Sequence, residues 1–246
     1  MNKKYELTKE YIELEGRKLY RIKSLTNFND VKIGDLGGYI ETKHNLTHSG
    51  NAWVYDDAKV YDNAHIYGNA RIECNAQVYG NAIVYNNAKV YEHARVSGNA
   101  EISGNAQIFN NAIVFGNAQV YGKAKVFNNT KIYGNAQVSG NAHICSNSLV
   151  YGNAIIDGNV IISSDACICG NALIHGDKDY TTIKGFGEFF RNTTFFKTKD
   201  GVEVSCGCFH GTIDKFRKQV EDTREGEITK EYLMIADLME QHFTEE

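Results

Sequence analysis

Cationic and aromatic side chains lie close together in the middle of the chain, and several recur at multiples of eighteen residues. The candidate ligand-binding residues are Arg95, Lys131, Tyr133, Phe115, Lys89 and Lys125. Aromatic ring faces beside guanidinium or ammonium groups suit a planar, anionic ligand such as a nucleotide. The pattern therefore predicts a site for such a ligand, and the alternative is that the rings form ladders that only stabilise parallel strands.

Histidine is the side chain most often used as a general base, and His93 is the most unusual histidine of this sequence. It occupies a turn position where asparagine or aspartate is otherwise the rule, and Lys123 is the only other departure. A base there could serve acyl transfer, whereas a tolerated surface substitution explains the same residue without any chemistry. We predict no catalytic residue, with His93 as the candidate if there is one.

Two groups of cysteines raise the question of a metal site. Cys206, Cys208 and His210 lie within five residues, and Cys167 with Cys169 could supply a second pair. The spacing is not Cys-x-x-Cys, and strand alternation would put Cys206, Cys208 and His210 on one face, where buried thiols pack well. We therefore predict no metal site and six reduced thiols.

Most of these candidates lie in a six-residue repeat. A valine or isoleucine returns at every sixth position from Val54 to Ile174, which gives twenty-one consecutive hexads. The β-branched residue favours extended backbone and an apolar interior, and the alanine four positions later suits an inside corner. Glycine and asparagine between them tolerate positive φ at the least cost, so we expect a turn in every hexad.

A six-residue period with inward aliphatic residues and corner alanines is typical of a parallel β-helix. The repeat resembles the left-handed β-helix of hexapeptide-repeat acyltransferases, in which three hexads make one triangular coil. The resemblance implies an all-β solenoid of about seven left-handed coils. We divide the chain into an N-terminal β cap (1–47), the hexapeptide-repeat β-helix (48–177) and a C-terminal α+β module (178–246).

The two ends are not repetitive. In the cap we expect a hairpin with its turn at Glu15-Gly16, and Trp53 facing outward on the first strand of the solenoid. In the module we expect a linker over 184–187, a hairpin turning at 199–201, and two helices capped by Thr212 and Thr229.

Both ends resemble a family of hexapeptide-repeat proteins that is common in bacteriophages and prophages. The resemblance lies in Gly34-Asp35-Leu36-Gly37-Gly38-Tyr39-Ile40-Glu41 and in the tail from Thr193 to Phe209. It implies a parallel homotrimer. Enterobacterial members carry an acyltransferase label that rests on fold analogy. Enzymes of this kind place the histidine base beside a loop that interrupts the coils, and nothing interrupts them here.

Residues eighteen apart should stack, which defines three faces. Face A carries Lys59, Gln77, Arg95, Ile113, Lys131, Leu149 and Cys167; face B carries Arg71, Lys89, Gln107 and Lys125; the remaining hexads form face C. Face A becomes apolar in its later coils, where we predict an interface formed by Ile113, Phe115, Leu149 and Tyr151. These residues predict self-association, and the cationic and aromatic side chains would line clefts between the prisms.

Composition limits the possible partners. The net charge of −4 gives no general attraction for nucleic acid. The sequence contains no apolar run long enough to span a bilayer and no signal-peptide pattern after the first residues, so we expect a cytoplasmic protein of a bacterial host without membrane contact.

Three functions are compatible with these observations. The first is a non-catalytic, trimeric binding protein that captures a small anionic ligand, such as a nucleotide-like signal of host defence, and needs no cofactor. The second is an acyltransferase that uses acetyl-CoA or another acyl-CoA. The third is a structural spacer that presents the C-terminal module to a protein partner.

Overall fold

The central part of the chain is a parallel β-solenoid. The computed structural model describes residues 3–187 and 190–244. All twenty-one valine and isoleucine residues of the hexads, from Val54 to Ile174, are fully buried. The alanines at the inside corners are buried with them, and Thr130, Ser148 and Val160 take the same place. The hexad pattern thus predicted the core correctly, because only aliphatic side chains can fill the dry interior of the prism.

Each hexad contributes one short strand, and the first three strands precede the hexads. The strands are β1 Tyr5–Leu14, β2 Arg17–Ser24, β3 Leu36–Ile40, β4 Trp53–Val54, β5 Lys59–Val60, β6 His65–Ile66, β7 Arg71–Ile72, β8 Gln77–Val78, β9 Ile83–Val84, β10 Lys89–Val90, β11 Arg95–Val96, β12 Glu101–Ile102, β13 Gln107–Ile108, β14 Ile113–Val114, β15 Gln119–Val120, β16 Lys125–Val126, β17 Lys131–Ile132, β18 Gln137–Val138, β19 His143–Ile144, β20 Leu149–Val150, β21 Ile155–Ile156, β22 Ile161–Ile162, β23 Cys167–Ile168 and β24 Leu173–Ile174.

Three parallel sheets form the faces of the prism. Face B runs from β4 to β22 and face C from β6 to β24, with every third strand in one sheet. Face A runs from β5 to β23 and has β3 as an additional parallel strand, so it contains eight rungs. The prediction of seven coils was therefore wrong by one. The pairing Tyr39↔Lys59 spans twenty residues instead of eighteen, so the first coil does not follow the hexad spacing.

The turns follow the composition of the hexads. Glycine has positive φ at turn positions such as Gly80, Gly98 and Gly116, and asparagine replaces it at Asn86 and Asn110. At most turns a second asparagine follows, and many of these bond to their equivalents one coil later; for example, Asn99 Nδ2 donates to Asn117 Oδ1 at 2.8 Å. These amide ladders run along the edges of the prism and add to the backbone hydrogen bonds between coils.

The N-terminal residues cover the first coil. Strands β1 and β2 form the antiparallel hairpin expected around Glu15-Gly16, and β2 pairs with β3. The ring of Tyr5 lies 6.1 Å from that of Trp53, and the ring of Phe28 lies 5.4 Å from it. Trp53 is consequently buried, so the prediction that it faces outward was wrong, because the cap folds over the first strand of face B.

Two adjacent glycines allow the cap to approach the prism. A Cβ atom on Gly37 would lie 2.5 Å from the Val54 carbonyl oxygen, and one on Gly38 would lie 2.6 Å from the Ala58 carbonyl oxygen. Neither position has room for a side chain, because the obstacles are backbone atoms that cannot rotate away. The paired glycines are thus explained by close packing of β3 on the first hexads.

The C-terminal module is a four-stranded antiparallel sheet with two helices. Its elements are β25 Tyr180–Phe186, β26 Arg191–Thr198, β27 Gly201–Cys206, β28 Phe209–Thr212, α1 Ile213–Thr223 and α2 Gly226–Thr244. Thr212 caps α1 as expected, since its side chain accepts from the Lys215 amide. Two predictions were wrong: residues 184–187 overlap β25 instead of forming a linker, and Thr229 lies inside α2, which begins at Gly226.

The module closes the other end of the prism. Phe196 is fully buried among the aliphatic residues of the last coils. The hydroxyl of Thr194 accepts a hydrogen bond of 3.1 Å from the Cys167 amide, and Ala172 and Thr198 form an antiparallel bridge. The sheet of the module therefore covers the apolar cross-section that the last coil would otherwise expose.

None of the helices in residues 3–187 and 190–244 has the length and apolar character needed to cross a membrane.

The close approach of β3 yields a stability prediction. Gly38→Ala should lower the free energy of unfolding by about 2 kcal/mol, because the new methyl group overlaps backbone atoms. Gly176→Ala is the matched control, since Gly176 has extended backbone with φ −161° and a Cβ there would meet no atom within 4 Å. Thermal unfolding of both variants measures the difference, and equal melting temperatures would contradict the packing argument.

Candidate ligand-binding site on face A

The seven hexad strands of face A, from β5 to β23, carry outward cations and no carboxylate at their strand and corner positions. The outward strand positions are Lys59, Gln77, Arg95, Ile113, Lys131, Leu149 and Cys167, and the corner positions are Tyr61, Tyr79, Ser97, Phe115, Tyr133, Tyr151 and Cys169. The whole chain carries a net charge of −4. These hexad positions are therefore opposite in sign to the chain average and favour anions.

The corner residues of face A form two separate stacks of rings. Tyr61 and Tyr79 are stacked with ring centres 5.0 Å apart. Phe115 and Tyr133 are stacked at 4.8 Å, and Tyr133 and Tyr151 at 4.9 Å. Within a stack each ring covers the face of its neighbour, so only ring edges reach the solvent. A planar ligand can therefore use a ring face only at the end of a stack.

A gap of one coil separates the two stacks. It lies at Ser97, which occupies the corner position between Tyr79 and Phe115. These two rings are two coils apart, which corresponds to about 10 Å between their centres. Tyr133 occupies the same spacing between Phe115 and Tyr151 in two stacking contacts. The gap at Ser97 consequently has the dimensions of one aromatic ring.

Arg95 lies beside this gap. It is the outward residue of β11, two positions before Ser97, and its side chain is exposed. Across the coils it lies between Gln77 and Ile113, neither of which is charged. In the part of the chain that the structure describes, its guanidinium makes no ion pair and no hydrogen bond. All its donors are thus available to an anion held at the edge of the gap.

The other faces have comparable gaps, but their own side chains occupy or screen them. On face B the gap at Glu73 contains Arg71, whose guanidinium lies 4.3 Å from the centre of the Tyr55 ring and pairs with Glu73 and Asp30. On face C the gap at Ser103 lies beside Glu101, which accepts a 2.5 Å hydrogen bond from Tyr85. The face B contact indicates that such a gap accommodates a planar cationic group in this fold.

The remaining predicted binding residues lie beside other stacks of rings. Lys131 is exposed on face A beside Tyr133, the middle ring of its stack. Lys89 and Lys125 are outward on face B, beside the continuous stack of Tyr91, Phe109 and Phe127. Tyr91 and Phe127 are the end rings of that stack; the outer side of Phe127 meets the edge of the His143 ring at 6.5 Å, and that of Tyr91 faces the gap at Glu73. By register, Arg95 and Phe115 both border the gap at Ser97.

The predicted interface residues are less exposed than the sequence suggested. Ile113, Phe115, Leu149 and Tyr151 are all partly buried by their neighbours in adjacent coils. The largest exposed apolar side chains of the prism lie elsewhere: Ile83 and Tyr121 on face C and Ile161 on face B. Exposed apolar side chains are thus not confined to face A.

His93 has no side-chain partner in the described structure that would orient it as a general base. Its backbone amide donates to the Asn110 carbonyl, as at other turns. Its imidazole is exposed, and no carboxylate within the described ranges accepts a hydrogen bond from it. A general base normally needs such a partner to fix its orientation. Lys123 is exposed at the equivalent turn of a later coil, and both residues interrupt the amide ladders.

The cysteines and histidine of the module do not converge. No group of three or more metal-ligating side chains exists among residues 3–187 and 190–244. The prediction that Cys206 and His210 share a face was wrong, because the turn at Gly207 places them in different strands. Cys206 faces the helices beside Tyr232, whereas His210 packs over Gly170 and bonds to Glu203 at 2.7 Å.

A thiol pair at the junction of solenoid and module was not found by sequence reasoning. The Cys169 thiol donates a hydrogen bond that lowers the pKa of Cys167 to about 6, and Ser205 and Tyr151 contribute further, against the effect of burial. The same contact and its burial raise the pKa of Cys169. The pair therefore loses its first proton early and retains the second. The Cys-x-Cys spacing was visible, but the contact with Ser205 depends on how the module docks.

This hydrogen bond predicts the pH dependence of alkylation. Because the thiolate is the nucleophile, the rate of Cys167 alkylation by iodoacetamide should be half-maximal near pH 6, approach its maximum above that pH and fall progressively below it. Cys169→Ala removes the donor and should move the midpoint towards the ordinary value of 9. Cys169→Ser keeps a donor and should retain a low midpoint. Residue-resolved mass spectrometry measures the rates, and identical profiles for the two variants would refute the assignment.

Comparison with known proteins gives a limited match within the repeat. Residues 76–92 and 106–122 match the family model described as YdcK Beta solenoid repeat. No curated protein matches the chain. The ring gap at Ser97 lies between the two matched segments. The chain is therefore a repeat β-solenoid protein whose central coils are similar to the YdcK repeat.

Proposed function

We propose that this chain is a non-catalytic binding protein that captures a planar, anionic ligand of the nucleotide class on face A. The observation that supports this most strongly is the gap at Ser97. A base inserted there would stack on Tyr79 and Phe115, and its phosphate would lie near Arg95. Base stacking on an aromatic side chain contributes about 1–3 kcal/mol. Two such contacts and one guanidinium make a complete, small recognition site.

The chemistry of the gap favours capture without turnover. Tyr79 and Phe115 supply ring faces and Arg95 supplies positive charge, but none of these groups is a general base near neutral pH. Ser97 lies at the bottom of the gap, and its side chain has no hydrogen-bonded base in the described structure. The proposed role is therefore sequestration of the ligand.

The biological setting rests on the two ends of the chain. The run from Gly34 to Glu41 and the tail from Thr193 to Phe209 resemble phage and prophage hexapeptide-repeat proteins. A phage protein that removes a nucleotide-like signal of host defence from the cytoplasm would fit both this resemblance and the chemistry of the gap.

We further propose that the chain assembles as a homotrimer. A ring of three copies joins unlike faces, because each copy must contact its two neighbours through different surfaces. The apolar residues Ile113 and Leu149 of face A and the exposed Ile83 and Tyr121 of face C would supply the two sides of this contact. The corner at Ser97 would then border the cleft between neighbouring copies.

Binding can be tested by calorimetry with AMP and with adenosine, which has the ring but no phosphate. AMP should bind the wild type, and adenosine should bind at least tenfold more weakly if Arg95 holds the phosphate. Arg95→Gln should weaken AMP binding to the same extent and leave adenosine unaffected. Absence of heat with both ligands and with a wider nucleotide panel would contradict the proposal.

Filling the gap at Ser97 distinguishes an effect on ligand binding from an effect on stability. Ser97→Phe should join the two stacks, raise the free energy of unfolding by about 1 kcal/mol, and abolish nucleotide binding. Ser103→Phe is the control, because it fills the equivalent gap of face C beside the acidic Glu101. Calorimetry and thermal unfolding measure both effects. A Ser97→Phe variant that still binds AMP would show that the gap is not the site.

Self-association is tested by sedimentation velocity. The wild type should sediment with three times the chain mass of 27.5 kDa. Ile83→Lys and Ile113→Lys should each yield monomers, because a charge is buried on one side of the contact. Ile161→Lys on face B is the control and should leave the trimer intact. A monomeric wild type would refute the trimer without affecting the gap at Ser97.

A further inference from the structure

The C-terminal module contains a cavity of its own, separate from the solenoid. The cavity has a volume of about 140 Å³ and lies between the sheet and the helices, at the end of the sheet where β26 begins and β27 ends. For comparison, an apolar cavity of about 150 Å³ holds one benzene molecule. The space therefore fits a single small ring or a branched chain of similar size.

One wall of the cavity is aromatic. Phe209, Phe216 and Tyr232 line it, with Phe216 in contact with both other rings at centre distances of 5.5 and 5.8 Å. Phe216 and Tyr232 are held by the buried core that joins the two helices to the sheet. The rings are thus fixed by packing, and the apolar part of a ligand would meet a preformed surface.

The mouth of the cavity is cationic. Arg191 and Arg224 line it, and the Arg191 guanidinium lies against Gly207, where a Cβ would be 2.6 Å from Nη1. Arg224 donates to the Thr223 carbonyl at 3.1 Å. Burial raises the pKa of the Tyr232 hydroxyl, and the charges of Arg224 and Arg191 act on it in the opposite direction. Both guanidinium groups are therefore near the same hydroxyl.

The charge of this lining differs from that of the module. Residues 178–246 contain fourteen aspartate and glutamate residues and ten lysine and arginine residues. Among the described residues, ten line the cavity; none of these is acidic, and two are arginines. In a module with excess negative charge, the two guanidinium groups among these described lining residues favour an anionic group at the mouth.

We propose that this cavity binds a small aromatic carboxylate. The ring lies against Phe209 and Phe216, and the carboxylate accepts hydrogen bonds from the Arg224 guanidinium at the mouth, near the positive charge of Arg191. Guanidinium groups recognise carboxylates through paired N–H donors. This site is independent of the gap on face A, and it uses no residue of the solenoid.

The test uses the full-length protein and benzoate as the probe, with benzamide and inorganic phosphate as comparison ligands. Benzoate should give saturable heat in calorimetry and should slow the alkylation of Cys206, which lines the cavity. Cys74 of the solenoid serves as the internal reference and should react at an unchanged rate. Benzamide and phosphate should each bind at least tenfold more weakly, because benzamide has the ring without the negative charge and phosphate has the charge without the ring.

Variants assign the anion contact. Arg224→Gln should weaken benzoate binding about tenfold, and Arg224→Lys should retain part of it. Lys218→Gln removes one positive charge from the exposed side of α1 and should have no effect. The proposal is overturned if benzoate neither binds nor protects Cys206, if benzamide or phosphate binds equally well, or if Lys218→Gln and Arg224→Gln have the same effect.

Discussion

The hydrogen bonds between successive coils determine almost every other property of this protein. In the hexads each residue lies beside its equivalent eighteen positions later, as in the pairings Arg95↔Ile113 and Ile113↔Lys131. Each side chain therefore has a neighbour of the same or of a different type in the next coil, at a spacing of about 4.8 Å. Identical neighbours produce stacks of rings or amides. A single different residue produces a local gap, and such departures create the surfaces that can recognise a ligand.

The interior could be predicted from sequence because it obeys this spacing without exception. The aliphatic residues, corner alanines and turn glycines each have a local physical reason, and all occupy their expected places. Prediction failed where the spacing changes or where distant segments meet. The additional coil at Leu36–Ile40 was missed because its pairing spans twenty residues, and Trp53 was misplaced because nothing in its own hexad indicates the ring of Tyr5 above it.

The candidate site was predicted in part. Sequence reasoning selected Arg95 and Phe115 from the stacking of residues eighteen apart. It did not recognise that stacked rings cover one another, so it gave equal weight to Tyr133, which is covered on both faces, and to Lys131 beside it. The signal that distinguishes them was present in the sequence, since Ser97 interrupts a column of aromatic residues. The cavity of the C-terminal module and the Cys167 pair depend on contacts between segments with no common period, and no spacing rule could have indicated them.

The two caps have a consequence for how the folded protein behaves at high concentration. A stack of identical short strands is a template that can recruit further chains, as the growing tip of an amyloid fibril does. Here the hairpin β1–β2 covers one tip with Trp53 beneath it, and Phe196 with β26 covers the other. The strands inside the prism are thus kept from becoming nuclei of aggregation. Proteolytic loss of either end would expose the edge of a terminal coil, to which strands of other chains could add.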